Sequence, residues 1–152
     1  VMSIIVKVGV ESTIVGMGYL NNQIEKISKF ETPKSFASFL EKVSSIVKHI
    51  YSENKEQNIA GISFSFPGMV DRDNLIIEYV PHFNWNNINF KKAFLRNLPN
   101  WDKSIFIANE AKLALQAELY FNKSIKNLNR ESEKDIVEFQ KQHKNKEDDL
   151  SL

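Results

Sequence analysis

Hydrophobic and polar positions at the start of the chain predict three strands in succession. Residues 3–10 are rich in Ile and Val, residues 13–20 continue in the same style, and residues 23–30 form a third run that favours a strand. The pair Asn21-Asn22 suits a tight hairpin turn, because asparagine tolerates the positive φ angles that such turns need. Short connections between strands of this kind indicate an antiparallel meander.

The clearest periodic signal is an apolar stripe with the spacing of a helix. Thr32-Pro33 predicts the start of this helix, since a hydroxyl cap followed by proline is typical of a helix N-terminus. We expect the helix to end near Asn54. The stripe steps by three and four residues through Phe36, Phe39, Leu40, Val43, Ile46, Val47, Ile50 and Tyr51.

Strand and helix patterns then alternate as far as residue 122. A buried strand over residues 59–66 stops at Pro67-Gly68, and Asn109 is expected to cap a helix that runs to about residue 122. This helix is apolar over most of its circumference, which predicts packing on both sides. The elements between these two are a turn at 71–74, an extended run at 75–80, an amphipathic helix at 90–98 and a strand at 104–108.

This order of elements predicts an α/β fold. Three antiparallel strands, extended by parallel strands through helical crossovers, form a mixed five-stranded sheet with helices on both faces. The arrangement resembles the ribonuclease-H-like lobe of actin, chaperone ATPases and sugar kinases, in which two lobes enclose a ligand cleft. We assign one lobe to residues 1–122. Residues 123–152 hold seven Lys or Arg and seven Asp or Glu, and they predict a charged helix, a linker or a disordered tail leading to a second lobe that this chain does not include.

Composition narrows the classes of partner. Lysine and arginine total 20 against 19 acidic residues. The resulting net charge of +1 gives no electrostatic reason to expect that this segment binds nucleic acid by itself. The lack of cysteine excludes a disulfide framework and a thiolate metal site, and the histidines lack ligand spacing, so we expect no metal. The apolar runs are too short for a membrane-spanning helix. We therefore expect a cytoplasmic protein without a membrane partner.

Three segments, taken together, resemble the ROK (repressor, ORF, kinase) family over roughly residues 3–122. The segment from Gly61 through Pro67-Gly68 to Asp71 is similar to a strand-and-turn pattern ending in P-G-x-V-D. Pro81-His82-Phe83-Asn84-Trp85 stands where members have a P-N-L-(x)-G-W-like stretch. Asn109-Glu110-Ala111, with Ala114 and Ala117-Glu118, is similar to the start of a family helix.

The resemblance implies that Gly68, His82, Asn109 and Glu110 bind a sugar. The residue types suit that role. Glycine lets the backbone approach a ligand, and the free N–H groups of a helix start, with a carboxylate beside them, can hydrogen-bond neighbouring hydroxyls. Each also has a simpler interpretation: Gly68 as a plain turn, Asn109-Glu110 as a helix cap, and His82 as a packed or solvated side chain.

Departures from the family's kinases favour a regulator. Glu110 stands where the kinases carry an aspartate that acts as general base, and one extra methylene displaces a base by roughly 1 Å. The D-x-G-G-T phosphate loop is missing, and the matching segment reads Lys7-Val-Gly9-Val-Glu-Ser-Thr13. We therefore expect no ATP cofactor and no catalytic residue.

The resemblance, closest to xylose-repressor-like regulators, implies the sugar-sensing effector domain of a transcriptional regulator. Its partners would be a sugar, a C-terminal lobe of the same protein and further copies of itself, as a homo-oligomer. DNA would be bound only through a domain outside this chain. Two alternatives stay open: the N-terminal lobe of a glucokinase-like ROK sugar kinase, and a degenerate lobe that serves as an interaction module.

Overall fold

The computed structural model describes residues 2–19, 21 and 23–109. Two helices and two sheets make up this part of the chain. The predicted helix at 109–122 and the charged segment at 123–152 lie, apart from Asn109, outside the described residues. In chain order the elements are β1 Met2–Val8, β2 Ser12–Tyr19, β3 Ile24–Glu31, α1 Phe36–Glu53, β4 Ile59–Phe66, β5 Met69–Asp71, β6 Ile76–Val80, a 3-10 turn Pro81–Phe83, β7 Trp85–Asn89, α2 Phe90–Asn97 and β8 Ser104–Asn109.

The larger sheet is the mixed five-stranded sheet that the element order predicts. Its strand order is β3-β2-β1-β4-β8. The first three strands form the antiparallel meander, while β4 and β8 run parallel to β1. The α/β fold class is therefore confirmed.

Helix α1 starts later than the sequence suggests. Ser35 is its cap, and its hydroxyl accepts a hydrogen bond from the Ser38 N–H at 3.3 Å. The prediction that Thr32 caps this helix is wrong, because Thr32 is buried and its hydroxyl donates to the carbonyl of Gly9 at 2.8 Å. A tertiary contact thus takes the hydroxyl that the cap would have used.

Both described helices pack on one face of the five-stranded sheet. The Phe66 ring contacts Phe39 of α1, with ring centroids 6.2 Å apart, and Phe90 of α2, at 5.5 Å. Phe64 also contacts Phe90 and Phe94. These aromatic rings fill the space between sheet and helices, and they are almost completely buried. The helix predicted for the opposite face belongs to the residues outside the described part.

The opposite face of the sheet carries mostly small side chains. Paired positions on neighbouring strands share a face, so the register groups these residues into rows. The three rows are Ser3 with Gly61 and Ser104, Ile5 with Ser63 and Phe106, and Lys7 with Ser65 and Ala108.

The outer strand β3 is largely exposed. Its pairing with β2 shifts by a bulge between Val15 and Gly16, and it presents Lys26 and Lys29. Bulges and lysines are common on sheet edges that remain unpaired.

The smaller sheet is antiparallel, with the order β5-β6-β7. The sequence patterns predicted only its middle strand. Trp85, at the start of β7, joins this sheet to the larger layer: its indole N–H donates to the carbonyl of Lys34 at 2.8 Å, and its ring meets that of Phe36 at 5.3 Å. Neither α1 nor α2 is long and apolar enough to cross a membrane.

Candidate functional site

The carboxyl ends of the parallel strands define the candidate site, which we call the carboxyl edge. Strands β1, β4 and β8 run in the same direction and end at Val8, Phe66 and Asn109. Ligands of open α/β sheets bind outside the carboxyl ends of the strands, where loops diverge. Of the residues predicted to bind sugar, Gly68 follows β4 and Asn109 ends β8, whereas His82 follows β6 of the smaller sheet.

Backbone contacts bring three of the four predicted residues to this edge. Asn109 is the register partner of Phe66, and Gly68 follows two residues later. Gly68 lies against Val80, which directly precedes the 3-10 turn that contains His82. Glu110 follows Asn109 in the chain but lies outside the described residues. Asn109, Gly68 and His82 are thus linked through adjacent segments of backbone.

Gly68 is required by the packing of the chain itself. A Cβ on this residue would collide with the carbonyl oxygen of Tyr79 and lie 3.0 Å from the Val80 Cα. Its φ angle is not positive, so the need for glycine comes from close approach and not from an unusual backbone conformation. This contact accounts for the glycine, and the predicted sugar contact stays a prediction.

His82 projects into solvent from the middle of the 3-10 turn. Asn84 ends the turn in a left-handed conformation, with φ of 56°. The adjacent Phe83 is instead packed, stacking on Trp85 with centroids 4.7 Å apart. The His82 side chain is therefore exposed while its neighbour is packed, which excludes the packed interpretation of this histidine.

The turn between β1 and β2 is closed by hydrogen bonds within the protein. The Gly9 N–H donates to the carbonyl of Ser12 at 2.9 Å, and a Cβ on Gly9 would lie 2.7 Å from that oxygen. Thr32 donates through its hydroxyl to the Gly9 carbonyl and through its N–H to the Glu11 carbonyl, at 3.0 Å. Since the Gly9 amide is already used, this turn does not offer it to a phosphate.

A buried pair of hydroxyls supports this turn. Thr13 Oγ1 and Thr32 Oγ1 are 2.8 Å apart. Because the single Thr32 hydroxyl proton is donated to Gly9, Thr13 is the donor within the pair. Neither threonine was among the predicted site residues, since nothing in the local sequence distinguishes them from strand and cap residues.

Asp71, the last residue of the P-G-x-V-D segment, shapes the turn between β5 and β6. Its carboxylate accepts hydrogen bonds from the Asn74 backbone N–H at 3.1 Å and from the Asn74 side-chain amide at 2.8 Å. These bonds favour the charged form and hold the pKa of Asp71 below its usual value. Asp71 therefore has a structural function that does not require a ligand.

Other potential sites are less well supported. An open hollow of about 1030 Å³ lies at the opposite end of the sheet, beside Met2 and Asn58, and none of the predicted sugar-binding residues lines it. Within residues 2–109 as described, no three His, Cys, Asp or Glu side chains are grouped in a way that could hold a metal ion. The carboxyl edge remains the best candidate.

The mixed sheet with its helices has the actin and ribonuclease-H-like fold that solved sugar kinases share. The model of the ROK family matches residues 3–129. The chain therefore belongs to the ROK family, as its three motifs suggested. A comparison with curated proteins finds no match.

Solved structures of both kinases and a regulator share this fold. A ROK family glucokinase from Streptomyces griseus, in complex with glucose and AMPPNP, has a TM-score of 0.62 at 15% identity, over 74% of this chain and 34% of that one. A ROK family transcriptional regulator, homologous to the E. coli MLC protein, also gives 0.62 at 15% identity, over 78% and 30%. A ROK hexokinase from Thermus thermophilus gives 0.62 at 16% identity, over 79% and 39%.

The chain thus spans about a third of the length of these neighbours. At sequence identities this low, the structural similarity shows only that the fold is shared. The neighbours include kinases as well as a regulator. The choice between those two functions therefore depends on the site residues.

Proposed function

We propose that this chain is the sugar-sensing lobe of a ROK-type transcriptional regulator. The sugar binds at the carboxyl edge, where Asn109, Glu110 and His82 supply polar groups and Gly68 supplies its backbone. A second lobe completes the cleft, and a separate domain binds DNA.

The observation that carries this proposal is the closed turn between β1 and β2. A loop that binds the phosphates of a nucleotide presents several backbone N–H groups to the ligand. In this turn the Gly9 N–H is bonded to Ser12, and the Gly9 and Glu11 carbonyls are both bonded to Thr32. Lys7 and Gly9 stand where the kinases have an acidic residue and the first of two glycines. The turn is therefore better suited to a structural role than to holding ATP.

In this proposal, DNA binding is regulated because the sugar binds two arrangements of the lobes with different affinities. A sugar that binds more tightly to one arrangement of the two lobes shifts the population toward that arrangement. The shift would be passed on to the DNA-binding domain. A kinase uses the same cleft but needs a bound nucleotide and a base at position 110.

Thermal unfolding of the intact protein with a panel of hexoses and pentoses tests the proposal. A ligand present at 100 times its Kd stabilises the folded state by about 2.7 kcal/mol, so a binding sugar raises the Tm measurably. We expect at least one sugar to do so, and we expect His82→Ala and Asn109→Ala to weaken the effect.

Matched controls are available in the same chain. His49 is exposed on α1 and Asn100 is exposed before β8, both away from the carboxyl edge. His49→Ala and Asn100→Ala should therefore keep the full response to sugar. A protein that no sugar stabilises would count against sugar sensing and favour the interaction module.

A second assay separates regulator from kinase. We expect the intact protein to transfer no phosphate from ATP to any sugar that stabilises it. Phosphorylation that depends on Glu110 would show instead that the chain is the lobe of a sugar kinase.

A further inference from the structure

A pocket lies at the amino ends of the parallel strands, at the opposite end of the sheet from the carboxyl edge. It is formed by residues 47–55, at the end of α1, and by residues 98–102, between α2 and β8. The first segment leads into β4 and the second into β8, which places the pocket at the start of both strands. We call it the amino-end pocket. Its volume is about 300 Å³, at the small end of the range for ligand pockets, so it suits one or two side chains better than a large ligand.

The walls of this pocket are fixed by the hydrophobic core. The Trp101 ring packs edge-on against Phe94, with ring centroids 5.7 Å apart, and Phe94 is completely buried. The Trp101 backbone N–H donates to the carbonyl of Leu98 at 3.1 Å, and Leu98 belongs to the core. Both contacts hold residues 98–102 against α2. The pocket is therefore formed in advance, and an occupant does not have to order its walls.

An exposed aromatic side chain borders the pocket. Tyr51 is the last position of the apolar stripe of α1, yet it is 41% exposed, whereas Val47 and Ile50 are buried. The centroid of its ring lies 6.0 Å from that of Trp101. Apolar surface that stays exposed around a concave pocket is typical of a site that binds another molecule. The occupant should therefore present an apolar side chain.

The charged groups around the pocket favour an acidic occupant. Lys48 and Lys55 line it, together with one acidic residue, Asp102. Among the described residues, neither of these lysines has an ion-pair partner. An apolar side chain flanked by carboxylates would fill the pocket and place negative charges beside both lysines.

One segment of the chain has this combination of side chains. Glu147-Asp148-Asp149 is the only run of three consecutive acidic residues in the sequence, and Leu150 and Leu152 follow it. Residues 110–146 connect this segment to the end of β8. Even at the helical rise of about 1.5 Å per residue, a connection of this length spans about 55 Å, well above the roughly 20 Å of a six-residue strand. The segment can therefore reach the opposite end of the sheet.

We propose that residues 147–152 of this chain bind in the amino-end pocket. A leucine side chain fills the apolar part beside Tyr51 and Trp101, and the preceding carboxylates pair with Lys48 and Lys55. The pocket is thus an interaction surface for an acidic segment with an apolar anchor. This inference does not rest on sugar sensing, because the pocket and the carboxyl edge lie at opposite ends of the sheet.

Disulfide trapping in the intact protein tests this inference. The sequence contains no cysteine, so a pair of introduced cysteines reports only on its own proximity. Ser52→Cys places a thiol at the pocket, and Ser151→Cys places one between the two leucines. We expect this pair to oxidise to an intramolecular disulfide, identified by peptide mass spectrometry. Binding of the segment brings the two Cα atoms toward the roughly 4–7 Å separation that the bond requires.

The matched control uses a serine at the other end of α1. Ser38 is exposed in the first turn of this helix. We expect Ser52→Cys to oxidise with Ser151→Cys at least about tenfold faster than Ser38→Cys does, at a rate independent of protein concentration, because a bound segment raises the effective concentration of one thiol near the other. Leu150→Ser combined with Leu152→Ser should remove this difference. Circular dichroism checks each variant for the native fold before oxidation.

Charge reversal tests the pairing with the two lysines. Lys48→Glu combined with Lys55→Glu should slow formation of the disulfide about threefold or more, since exposed ion pairs contribute modestly. Asp148→Lys combined with Asp149→Lys, added to these changes, should restore the rate. The rise in Tm that a sugar produces should stay the same in all of these variants, because none of them alters the carboxyl edge.

Three results would overturn the inference. Equal rates for the Ser52 and Ser38 pairs would show that the segment does not select the pocket. A rate that rises with protein concentration would assign the occupant to a second copy of the chain. A rate that ignores both the leucine and the charge variants would remove the chemical basis of the pairing. Each of these results leaves sugar sensing standing, since the sugar panel tests it separately.

Discussion

Replacing Thr32 by valine should destabilise the protein far more than an exposed substitution would. Valine has nearly the same shape but lacks the hydroxyl, so the variant loses the bond to the Gly9 carbonyl and leaves the buried Thr13 hydroxyl without its acceptor. A lost hydrogen bond costs about 0.5–1.5 kcal/mol and an orphaned buried hydroxyl about 1–3 kcal/mol. We expect the free energy of unfolding to fall by about 2–4 kcal/mol.

The matching variant Thr13→Val should cost less, about 1 kcal/mol, because Thr32 still donates to Gly9. In the double variant the orphaned Thr13 hydroxyl is absent, so the two costs should not add. We expect a coupling energy of about 1 kcal/mol or more between the two sites.

Urea unfolding, followed by tryptophan fluorescence, measures the free energy of unfolding of the unaltered protein, the two single valine variants and the double variant. Thr32→Ser keeps the hydroxyl and serves as the control, with an expected loss of about 1 kcal/mol for the methyl group. If Thr32→Val and Thr13→Val are equally costly and their effects add in the double variant, the directed chain of hydrogen bonds is refuted.

Three further predictions concern the smaller sheet and the turn that leads into it. Gly68→Ala should lower the free energy of unfolding by about 1–3 kcal/mol, because the new methyl group meets the Tyr79 carbonyl; an unchanged urea midpoint would contradict this contact. Asp71→Ala should lower the Tm at neutral pH. Since the hydrogen bonds from Asn74 lower the pKa of Asp71, their contribution is present above the unfolded-state pKa and is lost as the pH falls through the folded-state pKa. The difference in Tm from the unaltered protein should therefore shrink at acid pH, and a constant difference would refute the charged role. Trp85→Phe should cost about 1–3 kcal/mol by removing the buried indole donor, as urea unfolding would show; a loss below the error of the midpoint would mean that this bond contributes nothing.

The sequence predicted the elements whose periodicity is long or whose residues have strong strand propensity. Helix α1 was predicted from its repeated apolar spacing. Five of its six buried residues belong to the predicted stripe, and the sixth is Ser44. Its start was misplaced because Thr32-Pro33 has the local features of a cap, while the Thr32 side chain is used by a contact distant in sequence.

The two outer strands of the smaller sheet escaped prediction. Strand β5 has only three residues, and β7 contains Asn86, Asn87 and Asn89, a residue type that is depleted in strands. Asn87 also has a positive φ of 49°. Pairing with β6 and the packing of Trp85 hold these residues in the sheet, and neither contact is visible in a local pattern.

The candidate site also combines features that a local sequence pattern predicts with features that depend on contacts distant in sequence. The Pro67-Gly68 turn could be predicted, whereas the Tyr79 carbonyl that requires the glycine comes from a strand that returns later in the chain. Likewise, the position of Asn109 beside Phe66 depends on strand register, which a single sequence leaves open.

The outer strand β3 has a consequence for how copies of the protein can associate. A flat, uncharged edge would let a second copy extend the sheet, since unpaired N–H and C=O groups can pair with any strand that fits. The bulge interrupts that edge, so a second strand cannot pair with β3 along its whole length in one register. Growth of the sheet through β3 is therefore disfavoured, and we expect any homo-oligomer to form through a different surface.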